Sequence, residues 1–324
     1  MANLGWPHAA SPFHAGELAI QARLGVQERL DHQGRRIIRD YLPEQHRQFF
    51  AQLSYVLVGT VDGEGQPWAS ILVGEPGFIT SPDEHRLHLT AQPLYGDPLH
   101  TTLAEGADIG LLGIELHTRR RNRLNGTITA IQPEGFTVAV GQSFGNCPQY
   151  IQSRRFDWPA FDPTAPKPVH SFTALGDGER AIIAAADTFF IATAYQAESA
   201  GSASGVDVSH RGGKPGFVRM DDANTLTIPD FSGNLHFNTF GNLELNPRAG
   251  LVFIDFGRGD LLYLTGTAKV VWDGPEIAAY AGAERLLRFD VNQGCRVEGS
   301  LPLTGSAPEF SPFLVDTGPW RSQF

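Results

Sequence analysis

The pattern of hydrophobic and polar positions divides the chain into helical and strand-like stretches. Between residues 13 and 41 the apolar positions mix helical spacing with breaks at Gly25 and Gly34, which predicts a helix, a turn and a lead-in arm. The stretch 43–53 starts with a proline at a plausible first-turn position and repeats apolar residues every three or four positions. This spacing predicts a helix of about three turns.

From residue 55 onward the spacing becomes that of strands. Two of them flank an Asp-Gly-Glu-Gly turn, which is typical of a hairpin. The chain contains 36 Gly and 22 Pro with only 19% charged residues, a composition that favours many short strands joined by turns in a barrel or a sandwich. The predicted strands are 55–60, 67–73, 86–90, 109–116, 124–131 and 136–140.

The order of these elements recurs later in the chain. A predicted helix at 179–186 leads into a strand at 188–194, as the helix at 43–53 leads into the strand at 55–60. Gly77-Phe78 recurs as Gly216-Phe217, and Gly126 of a Leu-Asn-Gly-Thr sequence recurs as Gly266 of Leu-Thr-Gly-Thr, so matched positions lie about 140 residues apart. Because a chance alignment would drift, we interpret the chain as an internal duplication of two β-barrels.

The predicted organisation has five parts. The segment after the first repeat holds four prolines between residues 157 and 168 and shows no periodicity, as expected for an extended connector. A Gly/Ser-rich loop at 198–205 occurs only in the second repeat. The parts are an N-terminal helical arm (1–42), a first repeat (43–156), a Pro-rich linker (157–177), a second repeat (178–290) and a C-terminal tail (291–324).

Charge and composition exclude several classes of partner. The formal net charge of −10 repels phosphate backbones and anionic lipid surfaces, so neither nucleic-acid nor membrane binding is expected. Two cysteines are too few for a disulfide framework, and neither an export leader nor a long apolar stretch is visible, so we expect a soluble, cytoplasmic protein. The basic run 119–123 is interpreted as a solvated turn, a subunit contact or part of an anion site.

Common catalytic and metal motifs are missing from the sequence. It contains no GxxxxGK[ST], GxSxG, HExxH or CxxC pattern. His85 and His88 lie three apart on a predicted strand, so their side chains point to opposite faces and cannot share a metal ion. No metal site is expected.

One stretch of the second repeat has a specific pattern. A Gly-Phe-Val-Arg strand at 216–219 is followed by a strand ending in Pro-Asp, a Ser-Gly-Asn turn at 232–234 and an Asn-Pro pair at 246–247. This run resembles flavin-nucleotide-binding proteins of the FMN-binding split-barrel superfamily, which is related to pyridoxamine 5′-phosphate oxidase. Residues 41–50 and 143–152 of the first repeat look like the same group, and the resemblance covers roughly residues 13–290.

The resemblance implies a fold and a function. The implied fold is mainly β with flanking helices, as two FMN-binding split β-barrels in tandem that mimic the dimer in which such proteins bind FMN between subunits. The implied function is FMN binding, with a flavin-dependent oxidoreductase of unknown substrate as the leading hypothesis. A non-catalytic flavin carrier or sensor and a scaffold that has lost its cofactor are the alternatives; an electron-donor partner and a homodimer stay open. The C-terminal substrate signature of pyridoxamine 5′-phosphate oxidase itself is missing.

Candidate cofactor residues follow from the chemistry of FMN, which needs hydrogen-bond donors, a cation and an apolar slot. We predict that the Ser-Gly-Asn turn opens a helix at 237–243, whose free N–H groups favour phosphate, and that Arg219 supplies the fixed charge. An ordinary turn and helix cap is the structural alternative. In many relatives basic residues follow the Gly-Asn pair, and here Leu235-His236 stand there. The full set is Phe217, Val218, Arg219, Asp230, Ser232, Gly233, Asn234, Asn238 and Thr239, with the backbone of Phe217 and Val218 facing the flavin ring.

Three further features carry candidate chemistry. Ser209, His210, Arg211 and Lys214 form a loop that closes over an anionic ligand or substrate, or is simply a hydrophilic hairpin tip. His210 is interpreted as a proton relay or as a solvated histidine. Cys147, at the predicted start of a short helix after Asn146, is either reactive or structural. Trp68 to Ser70 and that helix would wall the flavin ring from the first repeat, where the stretch 96–103 carries Asp97 and predicts no second flavin site.

Overall fold

The structure is a computed structural model in which residues 5–157, 159, 161–197, 201, 203–301 and 304–321 are described. Within these residues the helices are short, and several pack against the strands. They are α1 (Ala15–Arg23), α2 (Gln27–Ile37), α3 (Glu44–Ala51), α4 (Leu99–Thr102), α5 (Asp177–Ala185) and α6 (Asn238–Leu245).

Strands make up most of the regular structure. They are β1 (Tyr55–Val61), β2 (Pro67–Val73), β3 (Ile79–Asp83), β4 (Arg86–Leu89), β5 (Asp108–Glu115), β6 (Arg120–Gln132), β7 (Gly135–Gly145), β8 (Phe156–Asp157), β9 (Val169–Phe172), β10 (Thr188–Tyr195), β11 (Gly205–Gly212), β12 (Arg219–Met220), β13 (Thr225–Asp230), β14 (Arg248–Ile254), β15 (Leu261–Val271), β16 (Arg285–Val297) and β17 (Thr304–Gly305).

Two antiparallel sheets share one strand order. The first runs β2-β1-β5-β6-β7-β4-β3 and the second β11-β10-β14-β15-β16-β13-β12, with β9 added beside β16. The predicted hairpin is present as β1 and β2, in which Tyr55 lies opposite Val73. Each sheet surrounds its own apolar core. The predicted fold class, mainly β with two barrels in tandem and flanking helices, is confirmed.

Alternating side chains divide the interior into three apolar layers. On β1, Val56 and Val58 point into the core of the first sheet, whereas Leu57 points into a layer shared with the second sheet. On β10, Phe189 points into the second core and Phe190 into the shared layer. A strand has a side-chain period of two, so strands that are apolar at every position serve both layers. Burying each such side chain contributes roughly 1.5–3 kcal/mol.

The two sheets approach closely at a pair of glycines. A Cβ on Gly110 of β5 would lie 2.6 Å from the carbonyl oxygen of Val206, and a Cβ on Gly250 of β14 would lie 2.2 Å from that of Pro67. Any side chain at either position would therefore push the sheets apart. Gly110 of the first half and Gly250 of the second half thus allow the backbone of the opposite half to approach closely.

Several element boundaries differ from the predicted ones. The predicted break at Gly34 is wrong, because α2 runs through this residue and the Phe13 ring packs where a Cβ would stand. The linker is partly ordered by pairing, since β8 pairs with β17 and β9 with β16. Trp158 and Ala160 lie outside the described residues, as do 198–200, 202 and 322–324. β16 continues to Val297, past the predicted end of the second repeat at 290.

Two predicted helix starts are also wrong. The Ser-Gly-Asn turn at 232–234 does not open α6 directly; α6 begins at Asn238, after Phe237 has taken a left-handed backbone with φ of 63°. The segment after Asn146 is an irregular loop, and Tyr150 has φ of 61°, a conformation that cannot continue a helix. Among the described residues no helix has the length and apolar character needed to cross a membrane.

Candidate functional site

A cleft lies between the two halves of the molecule. Its first wall comes from β6 and from the loop after β7. Its second wall comes from β11, from the segment 229–240 at the start of α6, and from β16. The cleft holds about 970 Å³ of space that no protein atom fills, open solvent at its mouth included. Both halves of the chain therefore contribute to the cleft.

Four arginines and one carboxylate line the cleft: Arg121, Arg123, Arg211, Arg285 and Asp230. Three of these arginines are already paired. Arg123 donates to Asp207 at 2.6 Å, and both Arg211 and Arg285 contact Asp230. The same three guanidinium groups lie over phenylalanine rings at 4.9 to 5.5 Å from the ring centres. Ion pairs and ring contacts together hold the cations in place.

Arg121 differs from the other three arginines. Among the described residues no carboxylate lies within salt-bridge distance of it, and its Nε donates to the carbonyl oxygen of Cys147 at 2.8 Å. Burial, together with the like charges of Arg123 and Arg211, lowers the pKa of Arg121 to about 10. The side chain still carries its charge at neutral pH. It is therefore a buried cation without a carboxylate partner among the described residues, which favours the binding of an anion.

Five buried nitrogen atoms of cleft residues have no hydrogen-bond partner among the described residues. Each belongs to a group that can donate, although the imidazole does so only in one tautomer. Leaving a buried donor unsatisfied costs roughly 1–3 kcal/mol, so this arrangement favours a ligand rich in acceptor oxygens. The atoms are Nε of Arg123, Nδ2 of Asn146, Nε2 of His210, Nε of Arg211 and Nη1 of Arg285.

His210 lies on β11 with its imidazole buried against the Phe190 ring. Burial and the neighbouring charges of Arg121, Arg211 and Arg154 hold the pKa of His210 well below its usual range. The imidazole is therefore neutral at neutral pH and can donate one hydrogen bond without adding charge.

The start of α6 adds backbone donors to the second wall. Asn238, Thr239 and Phe240 are its first three residues, and all three line the cleft. The first N–H groups of a helix have no partner inside the helix and favour negative charge. The side chain of Asn238 donates to Glu17 of α1, which holds the helix start against the N-terminal arm. Burial raises the pKa of Glu17 to about 8, so this contact is to a protonated carboxyl at neutral pH.

Backbone strain is concentrated around the cleft. Four non-glycine residues among those described have positive φ, and three of them, Tyr150, Leu235 and Phe237, line the cleft. Such a conformation costs roughly 1–2 kcal/mol for an ordinary residue and persists only where the surroundings enforce it. Strain at three lining positions is typical of a functional site.

Aromatic rings form the apolar side of the cleft. Tyr150 from the first half and Phe231 from the second lie with their ring centres 4.9 Å apart. Phe217 is buried beneath, and Phe237 and Phe240 stand at the start of α6. The cleft thus combines donor-rich cationic groups with aromatic rings, as a ligand with an anionic group and a flat ring requires.

Most of the sequence-predicted residues meet in this cleft. Those in its lining are Ser209, His210, Arg211, Phe217, Asp230, Ser232, Gly233, Asn234, Asn238 and Thr239. Three predicted residues lie elsewhere. Val218 is buried in the second core, and Lys214 donates to the carbonyl oxygen of Thr317 at 2.8 Å. Arg219 pairs with Asp221 and Glu276 and lies over the Trp320 ring at 4.4 Å.

Other lining residues were not predicted or were left open. The basic run contributes Arg121 and Arg123, whereas Arg119 donates to the carbonyl oxygen of Ile151. Their alternation along one strand was the available signal, because residues two apart share a face. Tyr150 and Arg285 carried no comparable signal. Of the first-half residues expected to wall the ring, Asn146 lines the cleft; Trp68 donates to Asp62 and Ser70 to Asp97, both outside the lining.

The remaining candidate residues have the following environments. Cys147 is a half-buried free thiol in the cleft lining, without the helix start that was expected to activate it. His236 is buried, and burial lowers its pKa to about 4, so it is uncharged at neutral pH. His85 and His88 contact the carbonyl oxygen of Asp40 and the hydroxyl of Thr137. Within the described part of the chain no group of His, Cys, Asp or Glu side chains could hold a metal ion.

No model of a known protein family matches the chain, and no curated protein matches it. Among solved structures it is similar to a proposed pyridoxamine 5′-phosphate oxidase from Lactobacillus delbrueckii, with 14% identity, a TM-score of 0.30, and coverage of 38% of this chain and 94% of that one. A FAD-binding protein from Mesorhizobium loti matches with 13% identity and a TM-score of 0.27 over 40% and 97% of the two chains. HupZ from Group A Streptococcus matches with 15% identity and a TM-score of 0.28 over 36% and 89%. At these values the similarities identify neither a ligand nor an activity for this chain.

Proposed function

We propose that the cleft binds a flavin nucleotide, FMN in the first place, and that the chain is a flavin-dependent oxidoreductase. The observation that carries this proposal is the set of five unpartnered buried nitrogens and the unpaired Arg121 beside an aromatic wall. FMN combines a phosphate, a polyol and carbonyl oxygens with a flat ring, so it offers acceptors and an apolar face at once. The sequence resemblance to flavin-nucleotide-binding proteins supports the same ligand.

The residues present divide naturally among the parts of this ligand. Arg121 and the first N–H groups of α6 would hold the phosphate, because both favour a dianion. Ser232, Asn234 and Asn238 offer side-chain partners for the polyol. Tyr150 and Phe231 would contact the ring.

When bound, a flavin supplies hydride or electron exchange. The chain's own residues would then bind and position it. The paired arginines would stabilise negative charge in the cleft, and His210 would donate a hydrogen bond as a neutral imidazole. The aromatic wall would keep water from the ring.

We also infer that the chain arose by internal duplication, with repeats near residues 43–156 and 178–290. The shared strand order and the glycines at corresponding close approaches, Gly110 and Gly250, support this inference. The cleft between the two halves would then be the counterpart of a subunit interface. A further homodimer and an outside electron donor stay compatible with this arrangement.

The binding part of the proposal is tested by titrating purified protein with FMN and following flavin fluorescence and visible absorption. Wild type should show saturable binding. Arg121→Gln should weaken FMN binding about 10- to 100-fold, because a charge-assisted hydrogen bond contributes roughly 1.5–3 kcal/mol. The substitution breaks no ion pair among the described residues, so the fold should persist, as circular dichroism would verify.

Arg219→Gln is the matched control. Arg219 was the cation expected from the sequence, but its guanidinium is held by Asp221 and Glu276 outside the cleft lining. FMN affinity should therefore change less than twofold. A loss of binding in Arg219→Gln with none in Arg121→Gln would reverse the assignment of the phosphate site, and no binding by wild type would remove the flavin.

The oxidoreductase part requires a separate measurement. The FMN-loaded protein, kept anaerobic, should lose its visible flavin absorption on addition of NADH or NADPH and regain it with an added electron acceptor. Stable binding of FMN without reduction by either nicotinamide would instead support a flavin carrier.

A further inference from the structure

The aromatic side of the cleft continues beyond the cleft to the protein surface. The ring of Tyr150 lies between that of Phe231, at 4.9 Å, and that of Phe313, at 6.1 Å. Both distances are within the range in which aromatic pairs attract one another. Phe313 does not line the cleft and is 49% exposed. We call Tyr150, Phe231 and Phe313 the aromatic shelf.

Phe313 is held in this exposed place by the segment around it. Ser311 donates its backbone N–H to Gln152 at 2.8 Å, and Glu309 pairs with Ser153, both on the first half. On the second half Trp320 donates its indole N–H to the carbonyl oxygen of Phe217 at 2.9 Å. The segment therefore bridges both halves beside the cleft.

An anchored, half-exposed phenylalanine costs stability that a polar residue would not. Leaving so much of an apolar side chain in water forgoes part of the stabilisation that its burial would contribute. The strained backbone of Tyr150, with φ of 61°, adds a second cost at the same place. Single exposed apolar residues are common, but a run of rings that begins inside a ligand cleft is not explained by the core.

The charges around the aromatic shelf indicate which kind of ligand would bind there. Burial and the nearby carboxylates Glu284 and Asp230 raise the pKa of Tyr150, so the surroundings of its ring disfavour negative charge. Three of the four arginines of the cleft are already compensated by Asp207 and Asp230, and the fourth, Arg121, is assigned to the phosphate. A ligand seated on the shelf gains most if it is flat, apolar and uncharged.

We propose that the aromatic shelf is a second binding site, adjoining the flavin cleft, for a neutral planar aromatic compound. The proposal rests on the proposed flavin site in one respect: the compound is taken as the substrate that reacts with the bound flavin. The inner part of the shelf, Phe231 and Tyr150, would contact the flavin, and its outer part, Tyr150 and Phe313, would contact the compound, so binding of the compound does not require flavin. Uncharged aromatic molecules are then the proposed substrate class of the cleft.

The test uses 2-naphthol as a neutral planar probe and isothermal titration of the full chain, with and without saturating FMN. Wild type should bind it saturably in both conditions. Phe313→Ala should weaken binding about 3- to 10-fold, because an aromatic contact contributes roughly 0.5–1.5 kcal/mol beyond its buried area. FMN affinity should stay within twofold of wild type.

Phe310→Ala is the matched control. Phe310 is 45% exposed on the same segment and makes no ring contact with another described aromatic residue, so 2-naphthol binding should not change. The saturated alcohol decahydro-2-naphthol and the anion 2-naphthoate should both bind more weakly than 2-naphthol to wild type.

Three results would overturn the shelf. They are no saturable binding of 2-naphthol, equal losses in Phe310→Ala and Phe313→Ala, and tighter binding of 2-naphthoate than of 2-naphthol. Failure of the flavin proposal looks different. FMN would then not bind to wild type, while 2-naphthol binding would still depend on Phe313.

Discussion

Arg123 and Tyr263 occupy equivalent positions in the strand registers of the two halves, but their side chains differ in charge. Arg123 lies opposite Leu112 across β5 and β6. In the second half Tyr263 takes the corresponding position, opposite Val252 across β14 and β15. One half thus presents an arginine where the other presents a tyrosine.

The surroundings of these two residues also differ: Arg123 borders an open cleft, whereas Tyr263 lies in a filled, buried cluster. Arg123 donates to the hydroxyl of Ser209 at the edge of the open cleft. At the corresponding place Ser70 and Tyr263 both donate to Asp97, at 2.7 and 2.8 Å, and all three side chains are buried. Burial raises the pKa of Asp97 to about 6. A compact acidic cluster therefore fills the second position.

The comparison teaches that a few side chains, and not the strand framework, decide where an anion can bind. Both sheets have the same strand order, and each half offers a short helix near its serine. The first position carries a cation with spare donors, whereas the carboxyl of Asp97 would repel a phosphate. The proposed single flavin site follows from this difference.

The largest effect is expected when the first position is made to resemble the second. Arg123→Tyr removes the cation that donates to buried Asp207 at 2.6 Å. An uncompensated buried charge costs roughly 3–5 kcal/mol of unfolding free energy, which urea denaturation at neutral pH would measure. FMN binding should be lost with it.

Two variants make this result specific. Combining Arg123→Tyr with Asp207→Asn should recover most of the stability, because the buried charge is then gone. Arg29→Gln removes an exposed arginine that makes no ion pair with a described residue and should change stability by less than about 0.5 kcal/mol. A loss below 1 kcal/mol in Arg123→Tyr alone would show that the Arg123–Asp207 pair is not needed.

The strand framework could be predicted because its signals are local. Alternation and the turn residues place the β1 and β2 hairpin without any knowledge of distant contacts. The second wall of the cleft was predicted for the same reason, since Ser209 to Asn238 is one continuous stretch of sequence.

The first wall depends on contacts far apart in sequence. Whether a basic run faces solvent or a cleft depends on which face of β6 meets the second half, so the sequence does not decide the place of Arg121. The sequence predicts Arg219 on the flavin although one of its partners, Asp221, lies only two residues along; the other, Glu276, lies 57 residues away and has no local signal. Tyr150 lines the cleft only through a left-handed backbone that its sequence does not signal.

The next effect is a pH dependence confined to the second position. The pKa of Asp97 is raised from 3.8 to about 6, so the folded state holds this proton more tightly than the unfolded state. Asp97 therefore contributes fully to the free energy of unfolding below about pH 4. This contribution is lost as the pH rises toward 6, and the total loss is about 3 kcal/mol. Asp97→Asn should abolish that loss, which urea denaturation of both proteins from pH 4 to 7 would show.

The difference between the two proteins is the informative quantity. Other groups, including Glu17 with its own raised pKa, titrate equally in wild type and in Asp97→Asn and therefore cancel. A constant difference across this range would mean that Asp97 is already ionised at pH 4, and the acidic cluster would then be a charged one.

The smallest effect is expected from removing one donor of that cluster. Tyr263→Phe deletes the hydroxyl that donates to Asp97, which should cost about 1 kcal/mol at pH 5 and about 2 kcal/mol at pH 8, since a hydrogen bond to an ionised acceptor is stronger. Tyr95→Phe, at a tyrosine that is 38% exposed, is the matched control and should stay within about 0.5 kcal/mol. FMN affinity should be unaffected, because Tyr263 belongs to the filled position and not to the cleft. A drop in FMN affinity would instead mean that the two positions are coupled through the apolar layer they share, so that filling one helps to keep the other open.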